Sequence, residues 1–355
     1  MLSPRHFLGL ELMRPAINRV MREHPLTAVF WECTLRCNLH CRHCGSDCRV
    51  ESALRDMPLE DFLPVLDSIA RETDPHKVMI NVTGGEPLVR RDLEKCGKAF
   101  YERGFPWGMV TNGQLLTPAR FHSLLMSGLR SVTVSLDGIG ETHDWMRGVP
   151  GSFGKALAAA RMLAQSDAVV YDVVTCVNKR SYRQLNEIKE LLVQNGIKAW
   201  RLFTIFPVGR AAADPELQLS GDELRGLMEF IKATRREGRI KANYGCEGFL
   251  GNYEGDVRDN FFMCNAGITT GSVMADGSIA ACPSIRANYS QGNIYAGDDF
   301  MDVWNNRYQV YRDRSWKKTG ECESCRHWKY CQGNGMHLRD ADGKLLFCHL
   351  KRLSQ

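Results

Sequence analysis

From residue 26 to about residue 237, short apolar runs alternate with longer stretches whose apolar residues recur every three or four positions. The runs at 26–31, 77–83, 107–111, 131–136, 169–177 and 199–205 predict strands. The stretches at 58–71, 90–103, 118–127, 153–164, 182–194 and 222–236 predict helices, with Pro58 and Gly128 acting as start and stop signals. Six strand–helix units in succession predict a parallel sheet with helices outside it, because each parallel connection needs a crossover. Whether the sheet closes is not written in the periodicity. Ahead of the repeat, apolar Phe7, Leu8, Leu10 and Leu12 mix with Arg14, Arg19 and Arg22, and Pro15 predicts that no single helix runs through residues 1–25. Beyond residue 237 the pattern fades into loop-rich sequence with a hairpin signal at Asp276-Gly277. The expected organisation is a helical extension over 1–25, an α/β unit over 26–237 and a smaller unit over 238–355.

Composition changes this picture at one point. The chain has 355 residues, 44% of them hydrophobic, enough for a sizeable core. It has no apolar run long enough to span a membrane and no secretory signal pattern, so a cytoplasmic protein is expected. Its 14 cysteines are clustered by spacing, which in a long chain of that kind favours metal ligation over disulfides. A net charge of +5 is an ordinary basic surface and does not call for nucleic acid.

The densest cluster follows the first predicted strand. Cys37, Cys41 and Cys44 form a Cys-x3-Cys-x2-Cys triplet that can aim three thiolates at one centre. Thiolate selects zinc or iron–sulfur clusters, and a [4Fe-4S] cluster on three cysteines keeps one iron open. Cys33 and Cys48 flank the triplet and are expected to be bystanders. Ligands of parallel α/β proteins bind where strands end. The second strand ends in Thr83-Gly84-Gly85-Glu86-Pro87, whose glycines predict a close backbone approach to a ligand beside a carboxylate. Thr111-Asn112-Gly113 ends the third strand, and Ser135-Leu136-Asp137-Gly138 with Arg147 follows the fourth. Together these describe a metal centre beside groups suited to an ammonium, a ribose and a carboxylate.

The triplet with His43, the Gly84-Gly85-Glu86-Pro87 run and Ser135-Leu-Asp-Gly with Arg147 resemble the radical S-adenosylmethionine (SAM) enzymes over roughly residues 26–236. The resemblance implies a partial (β/α)6 TIM-like barrel with a [4Fe-4S] cluster on Cys37, Cys41 and Cys44. The open iron would be chelated by SAM, which is cleaved reductively to a 5′-deoxyadenosyl radical that abstracts hydrogen. By motif position, Glu86 with Gly84 and Gly85 would meet the SAM amino group, Thr111 and Asn112 would belong to the same pocket, Ser135 would meet the ribose or carboxylate, Arg147 the carboxylate, and His43 would lie near the adenine.

In the C-terminal unit, Cys322, Cys325, Cys331 and Cys348 can supply four ligands to zinc or to iron–sulfur. With Cys264 and Cys282 before them, their order resembles the SPASM extension of radical SAM maturases, which implies one or two auxiliary [4Fe-4S] clusters. Where the seven-cysteine pattern has a further cysteine after Cys331, this chain has Gly335, leaving Cys246 as a candidate third ligand beside Cys264 and Cys282. The resemblance implies a peptide or small-protein substrate, or remodelling of a haem- or quinone-like cofactor precursor, with an electron donor such as a flavodoxin or ferredoxin. From other classes, a zinc-bearing binding module leaves the strand-end motifs unexplained, and an iron–sulfur electron carrier predicts no SAM binding. Glu247, Asp137, His143, Asp144, His327, His337 and His349 are acid–base candidates, and none is assigned a catalytic role.

Overall fold

The computed structural model describes residues 2–245 and 247–354. Ten strands among them form one sheet: β1 (Ala28–Glu32), β2 (Met79–Thr83), β3 (Trp107–Thr111), β4 (Leu129–Ser135), β5 (Val170–Val177), β6 (Ala199–Thr204), β7 (Lys241–Tyr244), β8 (Thr270–Val273), β9 (Ser278–Ala280) and β10 (Gly292–Asn293). Their order is β10-β9-β8-β1-β2-β3-β4-β5-β6-β7, so the sheet curves without closing and β7 is its far edge. The fold is the expected partial α/β barrel. Strand β7 lies past the predicted end of the repeat and still pairs in parallel with β6. Its four residues are too few to carry a period-two signal.

Of the helices up to β7, one precedes β1 and the others lie between successive strands. They are α1 (Pro4–Glu23), α2 (Leu59–Glu72), α3 (Leu93–Glu102), α4 (Pro118–Met126), α5 (Glu141–Arg147), α6 (Ser152–Ala164), α7 (Lys179–Tyr182), α8 (Leu185–Gln194) and α9 (Gly221–Glu237). Local chemistry sets their ends. Ser220 and Glu223 form a capping box at the start of α9, and Gly238 closes it at φ 75°. The layer between sheet and helices is sealed by aromatic rings: Trp31 stacks on Phe62 at 4.8 Å and meets Phe100 edge-on at 5.6 Å. Each such ring removed from water contributes roughly 2–3 kcal/mol.

Two expectations need correction or extension. Pro15 does not divide the first segment, which is one helix of 20 residues. An interior proline costs about 3 kcal/mol, and tertiary contacts offset it. Leu10 is buried, while Glu11 accepts from the Tyr330 hydroxyl at 2.5 Å and pairs with Lys329. The C-terminal unit, in turn, shares the barrel's sheet. Strand β8 runs parallel to β1, with Ala28 opposite Thr270 and Trp31 opposite Val273. The predicted hairpin at Gly277 (φ 83°) returns β9 antiparallel to β8. The helix α10 (Phe300–Asn306) then docks on α2, where Asp299 caps it and accepts the Ser68 hydroxyl at 2.7 Å.

Candidate active site

The cysteine loop leaves β1 and is held by its neighbours' backbones. Cys33 donates to the Thr83 carbonyl at 3.0 Å, Gly85 to Thr34 at 2.8 Å and Glu86 to Arg36 at 2.9 Å. What approaches the two glycines closely is therefore the loop itself. A Cβ on Gly84 (φ 137°) would strike the Thr34 carbonyl, and one on Gly85 would lie 2.7 Å from the Arg36 carbonyl carbon. Buried Arg90 donates to the carbonyls of Cys33 and Met57, both at 2.8 Å. On the far side, His40 and Arg42 donate to the carbonyls of Arg147 and Met146, at the end of α5.

A cavity of about 160 Å³ opens inside this frame, lined by Cys37, Cys41, His43, Cys44, Gly84, Gly85, Glu86, Thr111, Asn112, Ser135 and Arg147. All eleven were singled out from the sequence. Cys48, expected to be a bystander, lines the same cavity, and its N–H points at the Cys44 sulfur at 3.4 Å. The hydrogen bond from the Cys48 thiol pulls the Cys44 thiol below the usual range. The signal was in the spacing, since Cys44-x3-Cys48 repeats Cys37-x3-Cys41. Cys33, in contrast, is fully buried away from the cavity, and burial pushes its thiol far up.

Glu86 is 1% exposed. Its Oε1 accepts from the Thr111 hydroxyl at 2.7 Å and Leu88 N–H at 3.1 Å, and its Oε2 from Asn112 N–H at 2.7 Å. Burial raises its pKa against those three donors. A carboxylate has about four acceptor positions, so Oε2 keeps one for a donor from the cavity. Asn112 is turned toward the loop, donating to Asn38 Oδ1 at 2.8 Å. Arg147 is paired with buried Asp137 at 2.6 Å and points Nη1 at the Cys41 sulfur at 3.6 Å. Burial alone would raise Asp137, and Arg147 overrides it to keep the carboxyl ionised. The imidazole of His43 is driven down to about 4 by burial, and its sealed Nδ1 has no hydrogen-bond partner among the described residues.

The C-terminal cysteines converge separately. Cys322, Cys325, Cys331 and Cys348 line one cavity of about 620 Å³. Cys264 lies in a neighbouring cleft shared with Cys331 and covered by Leu10 and Ile17 of α1, while Cys282 lines neither space. Burial would raise the Cys264 thiol, but Arg314 and Lys317 overcome it and pull the pKa down, which suits a thiolate. At Gly335 there is no room for the cysteine of the longer pattern: a Cβ would lie 2.6 Å from His337 and 2.7 Å from the Glu247 carbonyl oxygen. The expectation for Cys246 falls outside the described residues. Nearby, buried Glu247 accepts Thr204 N–H at 3.1 Å, and the Tyr244 hydroxyl sits 2.9 Å from His349 Nε2. These groups gather where β6 and β7 end.

Both donor sets fit iron–sulfur groups: three thiols beside a polar pocket at one place, four thiols around a larger space at the other. The sequence pattern of the radical SAM superfamily matches residues 31–192, and that of the SPASM iron–sulfur cluster-binding domain matches residues 264–326. The chain carries a radical SAM domain and a SPASM domain. It is an enzyme, and its cofactors are a [4Fe-4S] cluster with SAM and auxiliary iron–sulfur in the SPASM domain. The radical SAM chain is 27% identical to an AdoMet-dependent heme synthase of Methanosarcina barkeri over 90% of its own length and 93% of the relative's. It is 29% identical to the mycofactocin maturase MftC of Mycobacterium ulcerans over 91% and 88%. Its fold matches Streptococcus suis SuiB bound to the precursor peptide SuiA with a TM-score of 0.69 at 20% identity, covering 90% of this chain and 74% of that one. Among the described residues, no helix is long and apolar enough to cross a membrane.

Proposed function

We propose that the first cavity is where SAM is bound and cleaved, and that the resulting radical is spent on a peptide or small protein. The observation that carries this reading is the gathering of Cys37, Cys41 and Cys44 with Glu86, Ser135 and Arg147 around one space at the strand ends. When bound, the cluster and SAM supply an electron transfer and a 5′-deoxyadenosyl radical that abstracts hydrogen. The chain's own residues hold and orient. Glu86 Oε2 offers its free acceptor position to the SAM ammonium, and the backbone of Gly84 and Gly85 fixes the cysteine loop against it. Ser135 faces the ribose or carboxylate, His43 stays neutral beside the adenine, and Arg147 neutralises Asp137 while its second arm faces the Cys41 sulfur. Thr111 and Asn112 hold Glu86 in place. Cys322, Cys325, Cys331 and Cys348 take the auxiliary cluster, with Cys264, Cys282 and Cys246 as ligands for a second. The barrel covers 26–237 together with β7, the SPASM unit the chain from there to 355, and the enzyme works in the cytoplasm with a flavodoxin- or ferredoxin-type donor.

A haem-type precursor is the second reading. It is favoured by the match to the Methanosarcina barkeri heme synthase, which spans nearly all of both chains. Anaerobic reconstitution with iron and sulfide, followed by dithionite and SAM, tests the chemistry. The expected result is 5′-deoxyadenosine from the intact chain and none from the Cys37→Ala/Cys41→Ala/Cys44→Ala variant. Product from that variant would put the cluster on other cysteines. Adding cysteine-containing peptides in one arm and iron-coproporphyrin III in the other separates the substrates by which one raises 5′-deoxyadenosine and changes in mass.

A further inference from the structure

Three basic side chains are buried in the SPASM unit with no carboxylate of the described residues paired with them, and burial above all pulls the Lys317 ammonium down to about 7. Arg314, Lys317 and Arg339 are 5%, 0% and 3% exposed. Arg314 donates to the carbonyls of Tyr311 at 2.9 Å and Cys264 at 2.7 Å. Lys317 donates to the Asn334 carbonyl at 3.0 Å. Arg339 donates to the carbonyls of Gly343 at 2.6 Å and Lys317 at 3.0 Å, and points Nη2 at the Cys322 sulfur at 3.3 Å. Other buried arginines of the chain meet acids, as Arg147 meets Asp137 at 2.6 Å and Arg258 meets Glu254 at 3.0 Å. Fully buried cations are rare unless something anionic compensates them.

Of the three, Arg339 lies directly against sulfur, while Arg314 reaches the Cys264 backbone and Lys317 the Asn334 carbonyl. Besides Arg339 against Cys322, the residue whose carbonyl takes Lys317 also donates its N–H to the Cys331 sulfur at 3.2 Å. The first cavity has the opposite polarity. There Arg147 is cancelled by Asp137 and Arg210 by Asp47 at 2.7 Å, and Glu86 adds a buried carboxylate held only by a hydroxyl and backbone N–H groups. A cluster becomes more negative by one charge when it takes an electron, so uncompensated cations beside it favour the reduced form and a buried carboxylate opposes it.

We propose that Lys317 and Arg339 give the cluster of Cys322, Cys325, Cys331 and Cys348 a higher potential than the SAM-binding cluster, so that it is reduced by an external donor before the SAM-binding one. The inference rests on Cys322, Cys325, Cys331 and Cys348 holding a cluster. It is tested on the reconstituted full chain by potentiometric titration followed by electron paramagnetic resonance, with the Cys37→Ala/Cys41→Ala/Cys44→Ala variant isolating the C-terminal signal. The expected result is that this signal appears at a higher potential than the SAM-binding cluster's. Arg339→Met and Lys317→Met should each move it to lower potential at unchanged iron content, and Arg339→Lys should restore it. If Arg339→Met loses its iron, Lys317→Met carries the comparison. Full iron with an unmoved potential in the charge-removing variants overturns the inference alone, as does reduction of the SAM-binding cluster first. A triple variant that holds no iron overturns the cluster assignment, and the inference with it.

Discussion

At Gly85 a single methyl group decides whether the cysteine loop can close on β2. The side chain would have to occupy the space of the Arg36 carbonyl, directly before Cys37. Gly85→Ala is therefore expected to destabilise the chain by about 2 kcal/mol or more and to lower iron and SAM binding at the first site while the C-terminal iron remains. Denaturant melts and iron analysis of the variant check this, and an unchanged iron content would contradict it. A second residue-scale expectation concerns pH. His143 accepts the Asp137 N–H on Nδ1 at 3.1 Å, which requires the neutral ring, and burial holds its pKa at about 4. The unfolded chain protonates near the ordinary histidine value, so between those two values it binds more protons than the folded one. Stability is then full above about pH 6.5 and falls as pH drops toward 4, by about 2 kcal/mol from about pH 7 to about pH 5 for this residue. His143→Gln should flatten the pH dependence of urea unfolding by that amount, and an unaltered slope would contradict the assignment.

At the scale of elements, the six strands with strong apolar runs were legible because burial on the sheet forces their composition. The site was legible for a related reason: its residues sit one or two places beyond strand ends, so finding the strands found the pocket. Two kinds of feature were not. Short elements such as β7 and α5 carry too few residues for a period, and their existence depends on neighbours already in place. Helix α1 shows tertiary contact overriding a local rule, since Pro15 is tolerated where Leu10, Glu11 and Ile17 dock against the SPASM unit. That docking predicts a function for the helix. Removing residues 2–23 should uncover the cleft of Cys264 and Cys331, speed the loss of C-terminal iron in air and leave SAM binding in place. Visible absorbance followed over time after exposure to air measures the first, and equal decay in both chains would exclude a covering role.

For the whole molecule, the sequence pattern divided the chain near residue 237, while the hydrogen bonds do not respect that division. Strand pairing is non-local, and nothing in β8's own four residues says that its partner lies some 240 positions earlier. The sheet runs from β10 through β8 to β1, and Glu32 at the end of β1 reaches into the later segment, where Arg286 pairs with it at 3.1 Å and Ala275 N–H donates at 3.2 Å. A fragment ending at Tyr244 would leave one edge of β1 unpaired and the Glu32 carboxylate, 3% exposed in the intact chain, without its cation. Breaking a buried pair from one side costs about 3–5 kcal/mol, and an open strand edge invites association. The fragment 1–244 is expected to be aggregated or loosely packed, without the near-ultraviolet circular dichroism of the full chain. Glu32→Gln in the full chain, which keeps the shape and removes the charge, should lose only part of that stability and still bind both sets of iron. A fragment that folds on its own would show the barrel to be independent of the SPASM unit. If it does not, the seam between β1 and β8 ties the cysteine loop at the end of β1 to the auxiliary cluster, so the distance and orientation between the two iron sites are set by one continuous sheet.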